Sequence, residues 1–275
     1  EWIPENCIGC NQCGVVCPHA AIRPFLVTED EAANAPEGFI VKDFRGPVKG
    51  LKYRIVVDPE DCYGCGICAN TCPAPKKALV MQPAETELPK QNLWDYAKSL
   101  PARDNPLGKK NLRSAMFEPT YFEFSGACAG CGETPYINMV TRLFGDRMMI
   151  SNATGCSSIY GASAPSMPYT KNSKGQGPAW ANSLFEDNAE YGLGMHLGEA
   201  KLRSRLTEKL EAHLPAAEGD VKTAMEEWLA KKDLGEGTRD RADKLDAALT
   251  AAVSAHPEYK ELLDLKDHFV KKSQW

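Results

Sequence analysis

The chain has 275 residues, of which 43% are hydrophobic and 25% charged, with a formal net charge of -5. That length allows one large domain or two smaller ones. The mild acidity, without a basic stripe, argues against nucleic acid as a partner, and the absence of any run of about 18 apolar residues argues against a membrane span.

Four regions follow one another along the chain. Residues 1–83 are rich in Cys, Pro and Gly, with short β-type runs such as Tyr53–Val57. Between Thr28 and Gly50 they carry what reads as an added loop, with Pro36, Gly38, Gly46 and Pro47. Residues 84–118 are polar and punctuated by Pro89, Pro101 and Pro106. They read as a linker wrapped on a neighbouring surface, with a short helix around Trp94–Leu100. Residues 119–195 are rich in Gly, Ala, Ser and Asn, which predicts loops that approach a ligand closely and a strand at Met148–Ile150. From His196 to residue 275 the pattern turns helical. Leu202, Leu206, Leu210 and Leu214 form one stripe; Val221, Met225, Trp228 and Leu229 a second; Leu245, Leu249 and Val253 a third. Pro215, Gly235–Gly237 and Pro257 separate them, so a helical hairpin packed on a larger body is expected. His213, His256 and His268 need no special role there, and His196, in a Gly-rich stretch, is a weak site candidate.

Cysteine is the unusual residue, with 11 in the chain. An odd count, tight C-x2-C spacing and no secretory leader argue against a disulfide framework and for a reducing cytoplasm and bound metal. The opening Glu1-Trp2-Ile3-Pro4 reads as the start of a fragment. Cys7, Cys10, Cys13 and Cys17 recur as Cys62, Cys65, Cys68 and Cys72, each 55 positions on, and both runs end in Cys-Pro, at Pro18 and Pro73. The run C-x2-C-x2-C-x3-C-P is that of bacterial ferredoxins, whose fourth cysteine ligates the other of two clusters. One [4Fe-4S] cluster is therefore expected on Cys7, Cys10, Cys13 and Cys72, and a second on Cys62, Cys65, Cys68 and Cys17. Gly9, Gly64 and Gly66 keep the loops tight, so that backbone N–H groups turn toward the cluster sulfides. Structural zinc favours two ligand pairs across a longer spacer and does not suit four cysteines within 11 positions. His19, after Cys17-Pro18, is expected to be a packed surface residue. Cys128, Cys131 and Cys156 are left over: ligands for a third cluster one short of the usual four, or a pair plus a buried thiol.

Three strings are more specific: Phe124–Tyr136 with its Cys128-Ala-Gly-Cys131-Gly-Glu133, Ser151–Ser166 around Cys156, and Pro178–Gly192. With the preceding cysteine runs they resemble the pyruvate:ferredoxin (flavodoxin) oxidoreductase family over residues 1–195, where a two-cluster ferredoxin domain precedes a thiamine-diphosphate-binding domain. The resemblance implies a fold class: an α+β ferredoxin-like two-cluster domain, then the first part of an α/β thiamine-diphosphate domain with a helical excursion. It implies oxidative decarboxylation of pyruvate to acetyl-CoA, with single electrons passing through three [4Fe-4S] clusters to ferredoxin or flavodoxin, in a cytoplasmic homodimer. It places a proximal cluster on Cys128, Cys131 and Cys156 and thiamine diphosphate against Glu133 and Cys156, with Asn152, Thr154 and Asn182 as weaker candidates. No residue here receives a catalytic role. The Gly-Asp-Gly segment that holds magnesium in thiamine enzymes does not occur, so Mg2+ and the twelfth cluster ligand are expected beyond residue 275, and this chain alone is expected to be inactive on pyruvate. The competing reading is a polyferredoxin-like carrier without catalysis.

Overall fold

The computed structural model describes residues 1–163 and 167–275; the last three residues of the Ser151–Ser166 string lie outside that range. The chain divides into two compact units, one made of 1–146 and 155–178, the other of 147–154 and 179–275.

In the first unit, β-branched and aromatic residues build β1 (Ile22–Thr28) and β3 (Leu51–Val57), antiparallel with Ile22 opposite Val57 and Thr28 opposite Leu51. Between them lie α2 (Glu29–Ala33) and β2 (Lys42–Asp43), which pairs with β3. The segment read as an added loop thus contributes a third strand, in the order β1-β3-β2. Pro24 is tolerated because β1 is an edge strand. Side chains alternate across this sheet. On one face Ile22, Tyr53, Ile55 and Leu79 pack with Cys7, Cys13, Cys17 and Cys68. On the other, Val27, Phe39 and Val56 pack with Leu93, Trp94 and Ala97. The 84–118 stretch is therefore more than a wrapped linker: α4 (Ala84–Glu87) and α5 (Gln91–Ser99) precede α6 (Leu112–Ala115), and α5 closes one face of the sheet. Buried Arg23 lies over Trp94 (4.9 Å) and Phe124 (5.5 Å) and pairs with Glu123. The short helices α1 (Gln12–Val16) and α3 (Ile67–Thr71) follow the cysteine loops. Helix α7 (Thr134–Phe144) begins just after Cys131 with Pro135 in its first turn, where no N–H is needed.

The second unit holds β4 (Met148–Ala153), longer than expected, with β5 (Ala179–Ser183) and β6 (Ser273–Gln274) parallel on either side of it. Long connections carry the chain between parallel strands, and one of them is helical: α9 (Asn188–His213), α10 (Gly219–Lys231), α11 (Thr238–Ala252) and the short α12 (Lys260–Leu263). This is a small bundle rather than a hairpin. Helix α9 starts eight residues before His196, because Gly192, Gly194 and Gly198 mask its periodicity. The three expected stripes meet in one core with Leu206, Leu210, Val221, Met225, Trp228, Leu245 and Leu249. Buried Arg203 stands 5.1 Å over the Trp228 ring and donates to the carbonyls of Lys232, His268 and Val270. Among the described residues no helix is long and apolar enough to cross a membrane.

Candidate iron–sulfur relay

The two cysteine runs fold alike. In each, the residues on both sides of the second cysteine are left-handed: Gly9 (φ 71°) and Asn11 (φ 62°) about Cys10, Gly64 (φ 64°) and Gly66 (φ 76°) about Cys65. Glycine adopts this region freely, and Asn is the side chain that tolerates it best. Such turns curl successive N–H groups to one side, a concavity suited to an anionic cluster. The helices α1 and α3 then begin, and end where Cys17 (ψ 116°) and Cys72 (ψ 118°) turn extended. Pro18 and Pro73 impose that turn, since the residue before proline is pushed out of the α region. The Cys-Pro ending is thus what re-aims the fourth thiol. Space around Gly66 is open, its ideal Cβ meeting nothing nearer than Asn70 Nδ2 at 3.9 Å, so a substitution there reads backbone strain alone. Gly66→Val should cost ~1–2 kcal/mol or more and weaken cluster retention, whereas Gly66→Asn, copying Asn11, should be nearly neutral. Urea unfolding with iron analysis of both variants would show it, and equal losses would count against the strain argument.

Cys7, Cys10, Cys13 and Cys72 line one cavity, beside Tyr53 and Ile55. Cys17, Cys62, Cys65 and Cys68 line another, beside Tyr63 and Ile67. The fourth cysteine of each run therefore joins the first three of the other. Burial pushes the Cys13 thiol up, helped by Cys68, Cys10 and Cys7. Burial also raises Cys17, against the backbone N–H groups of His19, Ala21 and Ile22. Cys68 is pushed up to about 11 by burial and then by Cys17 and Cys62. Clustered, desolvated thiols resist ionising alone, and a positively charged metal core offsets that cost. Among the described residues no three His, Cys, Asp or Glu side chains converge on a point suited to a single ion. The two thiol sets ring cavities instead, as a cubane with a ligand at each iron corner requires.

Cys128 and Cys131 share a turn in which Cys131 N donates to Cys128 O at 3.0 Å and Gly130 is left-handed (φ 74°), the C-x-G-C pattern of Cys7–Cys10 and Cys62–Cys65 again. This turn rests on the second ferredoxin-type loop: a Cβ on Gly130 would sit 3.4 Å from Ile67 Cδ1 and 3.8 Å from Cys65 Cβ. His19 bridges the same region. It is buried rather than superficial, its ring 3.9 Å from that of Tyr63 and its Nδ1 3.1 Å from Ser125 O. Burial lowers the His19 pKa, opposed by the Ser125 and Cys128 backbone. Neighbours from loops 100 residues downstream enclose it, which spacing does not reveal. Cys156 is exposed and opens the one-turn α8 (Cys156–Ser158), where Ser158 Oγ accepts from Gly155 N at 2.9 Å. The next turn carries Tyr160, whose hydroxyl donates to Glu133 Oε2 at 3.1 Å. Burial, then Glu133, raises the Tyr160 pKa, so this donor stays protonated. Tyr160 lies inside a quoted string yet nothing in its spacing marked it. In the second unit, Asn152 Nδ2 donates to Asn182 Oδ1 at 2.8 Å and Thr154 Oγ1 to Ser183 O at 2.8 Å, tying the ends of β4 and β5. His196 Nδ1 meets Gln274 Oε1 on the exposed face of α9, a contact that needs no site.

Residues 6–76 match the 4Fe-4S dicluster domain. Over its full length the chain is 51% identical to a pyruvate-flavodoxin oxidoreductase of Klebsiella pneumoniae, covering 23% of that protein. It is 55% identical to one of Enterobacter agglomerans over 249 residues, 89% of this chain and 21% of the relative. It is 51% identical over its full length to a pyruvate:ferredoxin oxidoreductase of Moorella thermoacetica, covering 24% of it. Two thiol sets in crossed arrangement, the dicluster match and half-identity from end to end agree: the chain belongs to the pyruvate:ferredoxin (flavodoxin) oxidoreductase family and spans about a quarter of those relatives' length.

Proposed function

We propose that this chain is the electron relay of an enzyme that oxidatively decarboxylates pyruvate, hands the acetyl group to coenzyme A, and passes single electrons to ferredoxin or flavodoxin. The first cluster takes Cys7, Cys10, Cys13 and Cys72, the second Cys62, Cys65, Cys68 and Cys17. A third, proximal cluster takes Cys128, Cys131 and Cys156, with its fourth ligand from outside this chain. The observation that carries the reading is the seat of the third motif: Gly130 lies against Ile67 and Cys65, which supports a second cluster neighbouring the proximal one. With clusters bound in these sets, electrons would pass from the proximal site through the second to the first. Thiamine diphosphate, which supplies a stabilised carbanion when bound, lies on this reading beside Glu133 and Cys156. Tyr160 holds the Glu133 carboxylate in place by donating to one of its oxygens, and the other would be left to accept from the cofactor when it is bound. One carboxylate and one thiolate make a poor octahedral oxygen site, so magnesium is held by residues outside this chain. A cytoplasmic homodimer is the proposed setting.

In the holoenzyme, Cys131→Ser should remove about four iron atoms and abolish pyruvate-dependent reduction of the other two clusters. Dithionite should still reduce them, as followed by EPR. Undiminished pyruvate-dependent reduction in the variant would overturn the relay order. A native holoenzyme whose clusters ignore pyruvate and coenzyme A would instead make the protein a polyferredoxin-like carrier.

A further inference from the structure

Three cations reach backbone carbonyls at or beside the Cys7–Cys10–Cys13–Cys72 set, two of them on the first cysteine loop and one at the end of the second. Lys42 Nζ donates to Pro4 O at 2.9 Å and to Cys7 O at 2.5 Å. Lys77 Nζ donates to Asn70 O and to Cys72 O, each at 2.8 Å. Arg113 reaches Gly9 O through Nε at 2.9 Å and Arg45 O through Nη2 at 2.9 Å. Cys7 and Cys72 line the first cavity, Gly9 lies in the chain between its Cys7 and Cys10, and no carboxylate lines that cavity. Neither cavity is lined by a lysine or arginine; the second is lined by Glu1 and Glu87, whose carboxylates lie 4.0 and 2.7 Å from Lys90 Nζ.

Resting on the ligand sets proposed above, we infer that Lys42, Lys77 and Arg113 hold the Cys7–Cys10–Cys13–Cys72 cluster at a higher reduction potential than its neighbour, making it the electron sink and exit of the relay. Reduction adds one negative charge to a cluster. Cations fixed near its ligands stabilise that charge, and net charge is one of the levers that set such potentials. The need is greater at the first site. Its cysteines are all at least half-buried, whereas Cys62 and Cys65 of the second are exposed. Burial by itself would disfavour the reduced form there, and the three cations offset it. They come from separate parts of the sequence: Lys42 is carried by β2, Lys77 follows the second run, and Arg113 sits on α6.

Potentiometric EPR titration of the holoenzyme tests this, with Cys10→Ser and Cys65→Ser used to assign the two signals. Lys42→Gln, Lys77→Gln and Arg113→Gln should each make the first cluster about tenfold harder to reduce, ~59 mV for a one-electron couple, and leave the second unmoved. Lys42→Arg should restore the native value, since it keeps the charge. Should Lys42→Gln shed its cluster, the other two variants carry the reading. Unchanged potentials at full cluster content would overturn the inference and leave the ligand sets standing. A shift confined to the signal that Cys65→Ser removes would overturn the ligand sets themselves.

Discussion

Cys72→Ala should abolish the cluster held by Cys7, Cys10 and Cys13, although Cys72 lies in the other run. Cys72 lines the cavity of the first set because Pro73 drives it into an extended conformation at the end of α3. The three cysteines nearest it in sequence line the other cavity, where Cys17 completes the four. EPR of the reduced variant should therefore lack one signal and keep the one that Cys65→Ser removes. The damage should extend to stability. Cys7, Cys13, Cys17 and Cys68 pack on Ile22, Tyr53, Ile55 and Leu79, so an empty site leaves the same sheet face poorly filled. Binding free energy of a metal group is also folding free energy where the empty site is not preformed. A lower urea midpoint should accompany the lost signal. Loss of the second cluster alone would refute the crossing.

Trp228→Ala should cost the helical unit ~3–5 kcal/mol, the usual toll for deleting a buried aromatic side chain. Trp228 is 1% exposed at the centre of the bundle core, between stripes from α9, α10 and α11. Its Nε1 donates to Phe269 O at 2.8 Å, and Arg203 stands over its ring. Truncation opens a cavity, strips a buried carbonyl of its donor, and removes a partner from a desolvated guanidinium whose pKa burial has already lowered. Trp228→Phe keeps most of the volume and should cost less. Thermal unfolding by far-UV circular dichroism would measure both. A loss under about 1 kcal/mol for the alanine variant would show that the bundle repacks around the gap. Iron content should not change, because no cluster ligand lies in this core.

The sequence by itself determined the parts of this protein that depend on nearby residues. Thiol spacing is a local quantity, so the two ferredoxin-type runs and the third C-x2-C were legible, and so were the tight loops at Gly9, Gly64 and Gly66, which the structure shows to be left-handed. Helical stripes are local too, and Leu206, Leu210, Met225, Trp228, Leu245 and Leu249 all proved buried. What spans the chain was not legible. Asn11 copies Gly66 in backbone conformation, yet its side chain is fixed by Tyr53 and Arg113. The start of α9 was hidden by glycines that tertiary packing overrides. The burial of His19, the sheet-capping role of α5, the Tyr160–Glu133 contact and the reach of Lys42 and Arg113 to the first cysteine loop all join segments tens to over a hundred residues apart. Periodicity reports which face of an element is apolar; it carries no record of which distant carbonyl a lysine will find. That choice is made when the chain closes, because a buried carbonyl left unpaired costs more than the entropy of bringing a distant donor to it.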